Sequence, residues 1–364
     1  MRSGTAGLLV WAACTVCGAV FSHGVPAAAF RDPLDVPSST GAASLTTRIF
    51  SVAGPAAGEN RRLFAVGAQG TILVSDDRGE RWEPVPSPIS SDLTAVAFPS
   101  GTDGYIVGHD SALLRSRDGG RSWSRQFDSR SLNQAMLDYY RSLPPGDLVT
   151  QWVQELEQRV ASGAPLPFFD VWFADAREGF AVGAFNLLLV TEDGGERWTP
   201  WMERTENPRG AHLYAVRGTP GPKGDVYIAG ELGLLMRLDR ETRRFVAVPT
   251  PYQGTYFSMA VDGDTLLVAG LRGNAFISRD RGQAWAKLDT HAAVSVAGAA
   301  GLGDGRFALL AQNGSVLVVG RDGVAVPAGV PLGRLSYALA AGDGAVVVGT
   351  DVGIKRIAIP AAAP

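Results

Sequence analysis

Asp110, Glu231 and Asp351 each sit in a short turn just after an apolar strand that ends in glycine. Paired carboxylates are what glycoside hydrolysis requires, one to protonate the leaving oxygen and one to act as base or nucleophile, with Tyr as an alternative nucleophile. These three come from distant parts of the chain, and turn carboxylates are ordinarily solvated, so a hydrolase or glycan-binding role is the lesser expectation. Other chemistries are excluded by spacing. His23, His109, His212 and His291 form no H-x₃-H or H-E-x-x-H pair, so no metal site is expected. No G-x-S-x-G elbow occurs, and the Gly-rich stretches end strands instead of opening helices. No cofactor and no catalytic residue is expected.

The three carboxylates belong to a larger set. An apolar strand ends at Gly67, Gly108, Gly183, Gly230, Gly270, Ala311 and Gly349, at intervals of about 40 residues with one longer gap between Gly108 and Gly183. About 40 residues is the size of a four-stranded propeller blade, so the sequence predicts an all-β, seven-bladed β-propeller. For the second unit the strands are expected at 93–98, 104–108, 112–116 and 122–127. The turn after each glycine-ended strand contributes one polar residue: Gln69, Asp110, Asn186, Glu231, Arg272, Asn313 and Asp351. These are expected to ring the axial opening and to bind a partner.

A second pattern, Ser/Thr-x-Asp-x-Gly-x-x-Trp, occurs four times: Ser75, Asp77, Gly79 and Trp82; Ser116, Asp118, Gly120 and Trp123; Thr191, Asp193, Gly195 and Trp198; Ser278, Asp280, Gly282 and Trp285. Each reads as a hairpin turn between the third and fourth strands. Asp accepts backbone N–H groups of its own turn, Gly supplies a positive φ, and Trp plugs the space beside it. These Asp boxes are expected to be scaffold at the end of the ring opposite the polar turns.

Residues 128–166 interrupt the repeat and read as two helices, 129–142 and 147–162, with Asp147 as N-cap and Gly163 as stop. Leu148, Trp152 and Leu156 make an apolar stripe. Packing on the propeller is the principal expectation for this stripe. The alternative is a docking element, with Tyr139, Tyr140, Trp152 and Leu156 as anchors.

Residues 1–29 read as a cleaved secretory signal ending at Ala27-Ala28-Ala29, which implies a periplasmic or secreted protein. Cys14 and Cys17 lie within it, so the processed chain has no cysteine. No other segment is long and apolar enough to span a membrane. The formal net charge is −3, which gives no footprint for nucleic acid. The seventh unit ends near Ile357 with three strands, and residues 30–36 are expected to supply its fourth. A monomer is expected.

The blade core V-G-x-x-G-x-(I/L) followed by S-x-D-G-G-x-x-W resembles the Ycf48/Hcf136-like proteins, with BNR (Asp-box) repeats, over about residues 45–357. That resemblance implies a seven-bladed propeller acting as a non-enzymatic scaffold or assembly factor for a membrane protein complex. Photosystem II is the complex in photosynthetic organisms. The leader Phe30 to Val36 and the Arg/Ala-rich exported chain resemble the bacterial branch, some of whose members accompany RND-type exporters. An arginine-rich partner patch in photosynthetic members directs attention to Arg115, Arg117, Arg237, Arg272 and Arg279.

Overall fold

A computed structural model of the chain describes residues 31–54, 62–329, 331–342 and 344–360. The expected signal and its cleavage point lie outside the described residues. Seven antiparallel sheets follow one another in chain order, six of four strands and the last of three. We letter the strands of each blade A to D, from the axis outward. The A strands are Ile49–Ala53, Leu93–Ala97, Phe168–Phe173, Leu213–Gly218, Tyr256–Asp262, Val296–Gly301 and Ser336–Gly342. Each packs against the A strands before and after it, and the seventh packs against the first, which closes the ring. The second blade runs Leu93–Ala97, Gly104–Gly108, Leu113–Ser116 and Ser124–Phe127, within a residue or two of expectation.

The B strands carry the repeat signal for a physical reason. Gly104–Gly108, Gly179–Gly183, Val226–Gly230 and Phe307–Ala311 are buried at every residue, because each has a blade on both faces. Strands covered on both faces read as unbroken apolar runs. The residue ending the run must be small, since the A strand's backbone passes against it. A Cβ on Gly67 would lie 2.0 Å from the Arg48 carbonyl oxygen, and one on Gly183 would lie 2.2 Å from that of Pro167.

One contact fastens each B–C turn to the connection entering the next blade. A Cβ on Gly70, Gly233 or Gly273 would meet the carbonyl oxygen of Ile89, Tyr252 or Ala292 at 2.0 Å. Blade 2 makes the contact with Ser111, whose Oγ donates to the Leu166 carbonyl at 2.9 Å. Blade 3 makes it with Asn186, whose N–H donates to the Ala211 carbonyl at 3.2 Å.

Closure differs from expectation. Of the segment 30–36, the described residues 31–36 do not supply the fourth strand of blade 7. Pro33–Asp35 is a single 3₁₀ turn, with the Asp32 carboxylate accepting the Leu34 N–H at 2.9 Å. Asp as cap followed by Pro at the first position is a helix-start signal, and it prevails over extension. This turn lies against blades 1 and 2. Ser90 N–H donates to the Pro33 carbonyl at 2.8 Å, and buried Leu34 joins the core of Val85 and Ile89. Blade 7 keeps three strands, and among the described residues no strand pairs with the outer edge of Gly353–Ala358. Blades 7 and 1 are instead joined by Ile49 and Val52 packing with Ala338 and Val347. The 3₁₀ segment Ala42–Thr46 occupies the place of the connection that would leave a D strand, its Leu45 carbonyl 2.4 Å from a Cβ position on Gly353.

Two helices separate blades 2 and 3: α1, Ser129–Ser142, and α2, Asp147–Ser162. Asp128 caps α1 with a full capping box. For α2 the N-cap is Gly146, and Asp147 is the first helical residue instead of the cap. Gly163 ends α2 at φ 69°, as expected of a left-handed stop.

Candidate functional site at the mouth of the axial channel

The two ends of the propeller are built differently. At one end lie the Asp boxes. In all four, the Ser or Thr oxygen accepts the Gly N–H at 2.8 Å and donates to the Asp carboxylate. The Asp in turn accepts backbone N–H groups three or four residues on. These turns also join blades: Gly120 lies so close to the Phe64 ring that a Cβ would meet it at 2.3 Å, and Tyr105 Oη donates to the Gly194 carbonyl at 2.5 Å. Hydrogen bonds from the Arg81 side chain and then from its backbone hold the Asp77 carboxyl at about 2. Those from Ser122 do the same for Asp118. At this end the polar side chains are spent on their own turns and on blade-to-blade contacts.

At the other end the A strands open a channel. Every A strand carries a β-bulge at its second residue, seen as a skipped partner in the A–B register. A bulge redirects a side chain that regular alternation would place elsewhere. The seven bulge residues are Phe50, Thr94, Phe169, Tyr214, Phe257, Ala297 and Tyr337, and all line one cavity of about 400 Å³ at the mouth. Five are aromatic. Phe169 stacks on Tyr214 at 5.0 Å, Tyr214 meets Phe257 edge-on at 5.2 Å, and Phe50 meets Tyr337 edge-on at 5.7 Å. Arg48 lies over the Tyr337 ring at 5.6 Å. The arc continues outward through His212 to Phe185, whose rings are 4.6 Å apart.

The residue after each bulge is small in six blades: Ser51, Ala95, Ala215, Ser258, Gly298 and Ala338. In blade 3 it is Asp170, 6% exposed. Asp170 Oδ2 accepts the Val216 N–H at 2.9 Å and a hydrogen bond from Arg217 Nη1. Burial pushes the Asp170 carboxyl above the usual carboxylate range, against the pull of Arg217. The positions equivalent to Arg217 are Ala53, Ala97, Trp172, Ala260, Ala300 and Ala340. Arg217 therefore stands among alanines and one Trp, and it lines both the mouth cavity and the second cavity beyond it.

The expected partner residues fall elsewhere than around the opening. None of the seven polar turn residues lines the mouth cavity; their hydrogen bonds run within their own turns or to neighbouring connections. Gln69 N–H donates to Asp92 Oδ1 at 2.9 Å, and Asp110 Oδ2 accepts Ser91 Oγ at 2.7 Å. Glu231 Oε2 accepts the His212 N–H at 3.0 Å. Arg272 N–H donates to Ser295 Oγ at 3.4 Å, and Asn313 Oδ1 accepts Ser315 N–H at 3.1 Å. Asp351 N–H donates to the Leu335 carbonyl at 3.1 Å. Asn186 is buried and bonded to the Met202 carbonyl and Thr205. Asp110, Glu231 and Asp351 stand on three separate blades and are not brought together as a carboxylate pair. Among the described residues no cluster suited to holding a metal ion occurs.

The choice of polar residues also passed over the turn tips of blades 3 and 4. Those are Phe185 and Leu232, with φ 53° and 57° and exposures of 48% and 49%. A bulky residue held at positive φ and turned to solvent is uncommon. The turn imposes the same positive φ on Gln69, Asp110 and Arg272, so what sets blades 3 and 4 apart is the exposed apolar side chain.

The helical insertion is mostly core. Tyr140 and Leu156 are fully buried and Trp152 nearly so, within one cluster with Leu132, Met136 and Phe168. Tyr140 Oη donates to Glu203 at 2.7 Å and accepts the Met202 N–H. Tyr139 is half-buried beside Arg204. Tyr140, Trp152 and Leu156 therefore serve the core between the helices and the propeller, and Tyr139 alone of the four is partly exposed. What α2 does present is Leu148, 50% exposed, across a groove of about 560 Å³ from Phe185 and Pro208. Arg115 and Arg117 both engage Glu196 at the Asp-box end, whereas Arg272 lies in a turn at the mouth end, so the arginines do not form one patch.

Comparison with known proteins agrees with this fold. A family described as "Photosynthesis system II assembly factor YCF48" matches residues 35–115 and 80–140. The chain is 24% identical over 177 residues to photosystem II stability/assembly factor HCF136 of Oryza sativa subsp. japonica, covering 48% of this chain and 39% of that one. It is 24% identical over 210 residues to HCF136 of Arabidopsis thaliana, covering 49% and 51%. It is 29% identical over 131 residues to the photosystem II assembly lipoprotein Ycf48 of Synechococcus sp. (strain CC9902), covering 35% and 38%. The matched regions span about half the length of these relatives or less. Among solved structures, "YCF48 bound to D1 peptide" superposes with a TM-score of 0.62 at 15% identity, over 87% of this chain and 95% of that one. YCF48 from Cyanidioschyzon merolae gives 0.61 at 16%, over 88% and 98%. A GH74 enzyme of Niastella koreensis gives 0.56 at 13%, over 84% and 51%. At these identities the structural likeness is one of fold.

Proposed function

Because the chain is a Ycf48-like seven-bladed β-propeller, we propose that it is an exported, non-enzymatic scaffold that holds an apolar peptide segment of a membrane protein complex. The observation that carries this reading is the collar of five aromatic side chains, each aimed into the channel mouth by a β-bulge. Nothing in the fold requires them, since blades 2 and 6 place Thr94 and Ala297 at the same position. Half-buried aromatics around a concave opening are what interface hot spots use. Phe185, Leu232 and the Leu148 groove extend the apolar surface outward from the mouth. The complex with which the relatives are named is photosystem II, and in a photosynthetic host that complex is the partner this reading assigns. The relatives' descriptions give no support to an exporter partner. Export agrees with the lipoprotein description of the Synechococcus relative. Among the described residues no helix is long and apolar enough to cross a membrane.

A photo-reactive amino acid placed at Phe257 in living cells tests the reading, with the same group at Arg121 in an Asp box as control. The Phe257 probe is expected to join the protein to a membrane-complex subunit that the Arg121 probe does not reach. Equal capture of that subunit at both ends, or at neither, contradicts the reading.

A further inference from the structure

The buried ion pair at the seam of blades 3 and 4 is an exception within the repeat. Six blades place Ser, Ala or Gly where blade 3 has Asp170, and no blade other than blade 4 has an arginine at the position of Arg217. The repeat is its own control: blades pack at the other seams without this pair, and burying charge carries a desolvation cost that a small apolar residue avoids. The pair is therefore not needed for the ring. Its geometry shows a use. Arg217 spends Nη1 on Asp170 and on the Val216 carbonyl, the latter at 2.6 Å. Among the described residues its Nε and Nη2 make no hydrogen bond, and the side chain is 38% exposed. The Nε–Nη2 edge is a side-on fork that matches a carboxylate with two parallel bonds. Asp170 fixes the guanidinium from the other side, so the fork is held in place at the floor of the aromatic mouth. Arg48 at the rim adds positive charge over Tyr337.

From this we infer that the mouth binds a carboxylate carried on an apolar group, the carboxylate on the Arg217 fork and the apolar part among Phe169, Tyr214 and Phe257. A free aromatic or aliphatic acid and the C-terminal residue of a peptide share that chemistry. The cavity of about 400 Å³ accommodates either. The inference rests on reading this face as a docking face and names what it selects.

Titration calorimetry with two matched pairs tests it: 4-phenylbutyrate against 4-phenylbutyramide, and N-acetyl-Ala-Leu-Phe with a free against an amidated C-terminus. The acid is expected to bind at least about tenfold more tightly than its amide in one pair or both. Preference in both pairs means that a small acid suffices. Preference in the peptide pair alone means that a chain end is required. Preference in the small pair alone means that a free acid is the ligand. Acid and amide binding equally in both pairs would overturn carboxylate recognition and leave the docking face standing. No binding by any of the four compounds would overturn both. Arg217→Ala alone strands the buried Asp170 and risks unfolding. The double variant Asp170→Ser, Arg217→Ala gives this seam the small residues of the others. It is expected to melt cooperatively and to lose the preference for acid over amide. A folded double variant that keeps the preference overturns the inference.

Discussion

The Asp-box end and the mouth end are made from the same seven blades, yet they spend their side chains in opposite ways. At the Asp boxes the polar side chains turn back on the backbone, as Ser116 does to Gly120 N–H and Asp118 to Ser122 N–H. At the mouth the A-strand bulges point side chains away from the blades and into a shared space. The first arrangement recurs in four blades with one hydrogen-bond scheme. The second varies from blade to blade, from Phe to Tyr to Thr to Ala, as a surface shaped by something outside the repeat does. In this molecule, regularity accompanies the self-bonded turns and irregularity the face proposed for docking.

Substitutions at the two ends should therefore separate stability from binding. The largest effect is expected at Gly120→Ala, where positive φ and the Phe64 ring both oppose a Cβ. Urea unfolding should show a loss of about 2–4 kcal/mol, with partner affinity unchanged where the protein stays folded. Next is Tyr214→Ala with Phe257→Ala, which should weaken partner binding by about 2 kcal/mol, roughly thirtyfold, while costing less stability than Gly120→Ala. Phe185→Gly sharpens the contrast because its two effects oppose. Relief of a left-handed Phe should hold stability or raise it by up to about 1 kcal/mol, while affinity falls several-fold. The smallest effect concerns pH. Asp118 has a folded-state pKa of about 2, below its unfolded value. Its contribution is fully present above the unfolded value and is lost as pH falls through the folded one. A melting series from pH 5 to pH 2 should therefore drop less steeply for Asp118→Asn than for the parent, while partner affinity at pH 7 is the same for both. An equal slope for the two proteins would mean that the box carboxylate is not coupled to folding.

The scaffold was legible in the sequence and the site was not, and both facts have physical causes. B strands covered on both faces leave an unbroken apolar run ending in Gly, and the Asp boxes repeat one local hydrogen-bond scheme, so both survive as patterns. The helix limits at 129–142 and 147–162 follow from the Leu143-Pro144-Pro145-Gly146 break and Gly163, whereas the capping role of Asp128 emerges only in the structure. The aromatic collar was hidden because a bulge breaks the period of two. Phe169 and Tyr214 look like ordinary members of alternating strands until the register is known. Choosing polar residues at the turns concealed Phe185 and Leu232. In blade 7 the strand runs on to Thr350, the residue equivalent to Gly67, so that Val352 instead of Asp351 stands at the tip. The stripe of α2 was read correctly as apolar, but Trp152 and Leu156 are buried, Trp152 stacking on Tyr140 of α1, and Leu148 and Val160 are left exposed. Residues 30–36 were misjudged because the Asp-Pro helix-start signal outweighed a missing strand.

The most direct measurement is a crystal structure of the protein with the partner segment that the Phe257 probe captures. The account predicts density for that segment at the mouth, between Phe169, Tyr214 and Phe257 and reaching toward Phe185. Density on the Asp-box turns, with the mouth left to solvent, would contradict it.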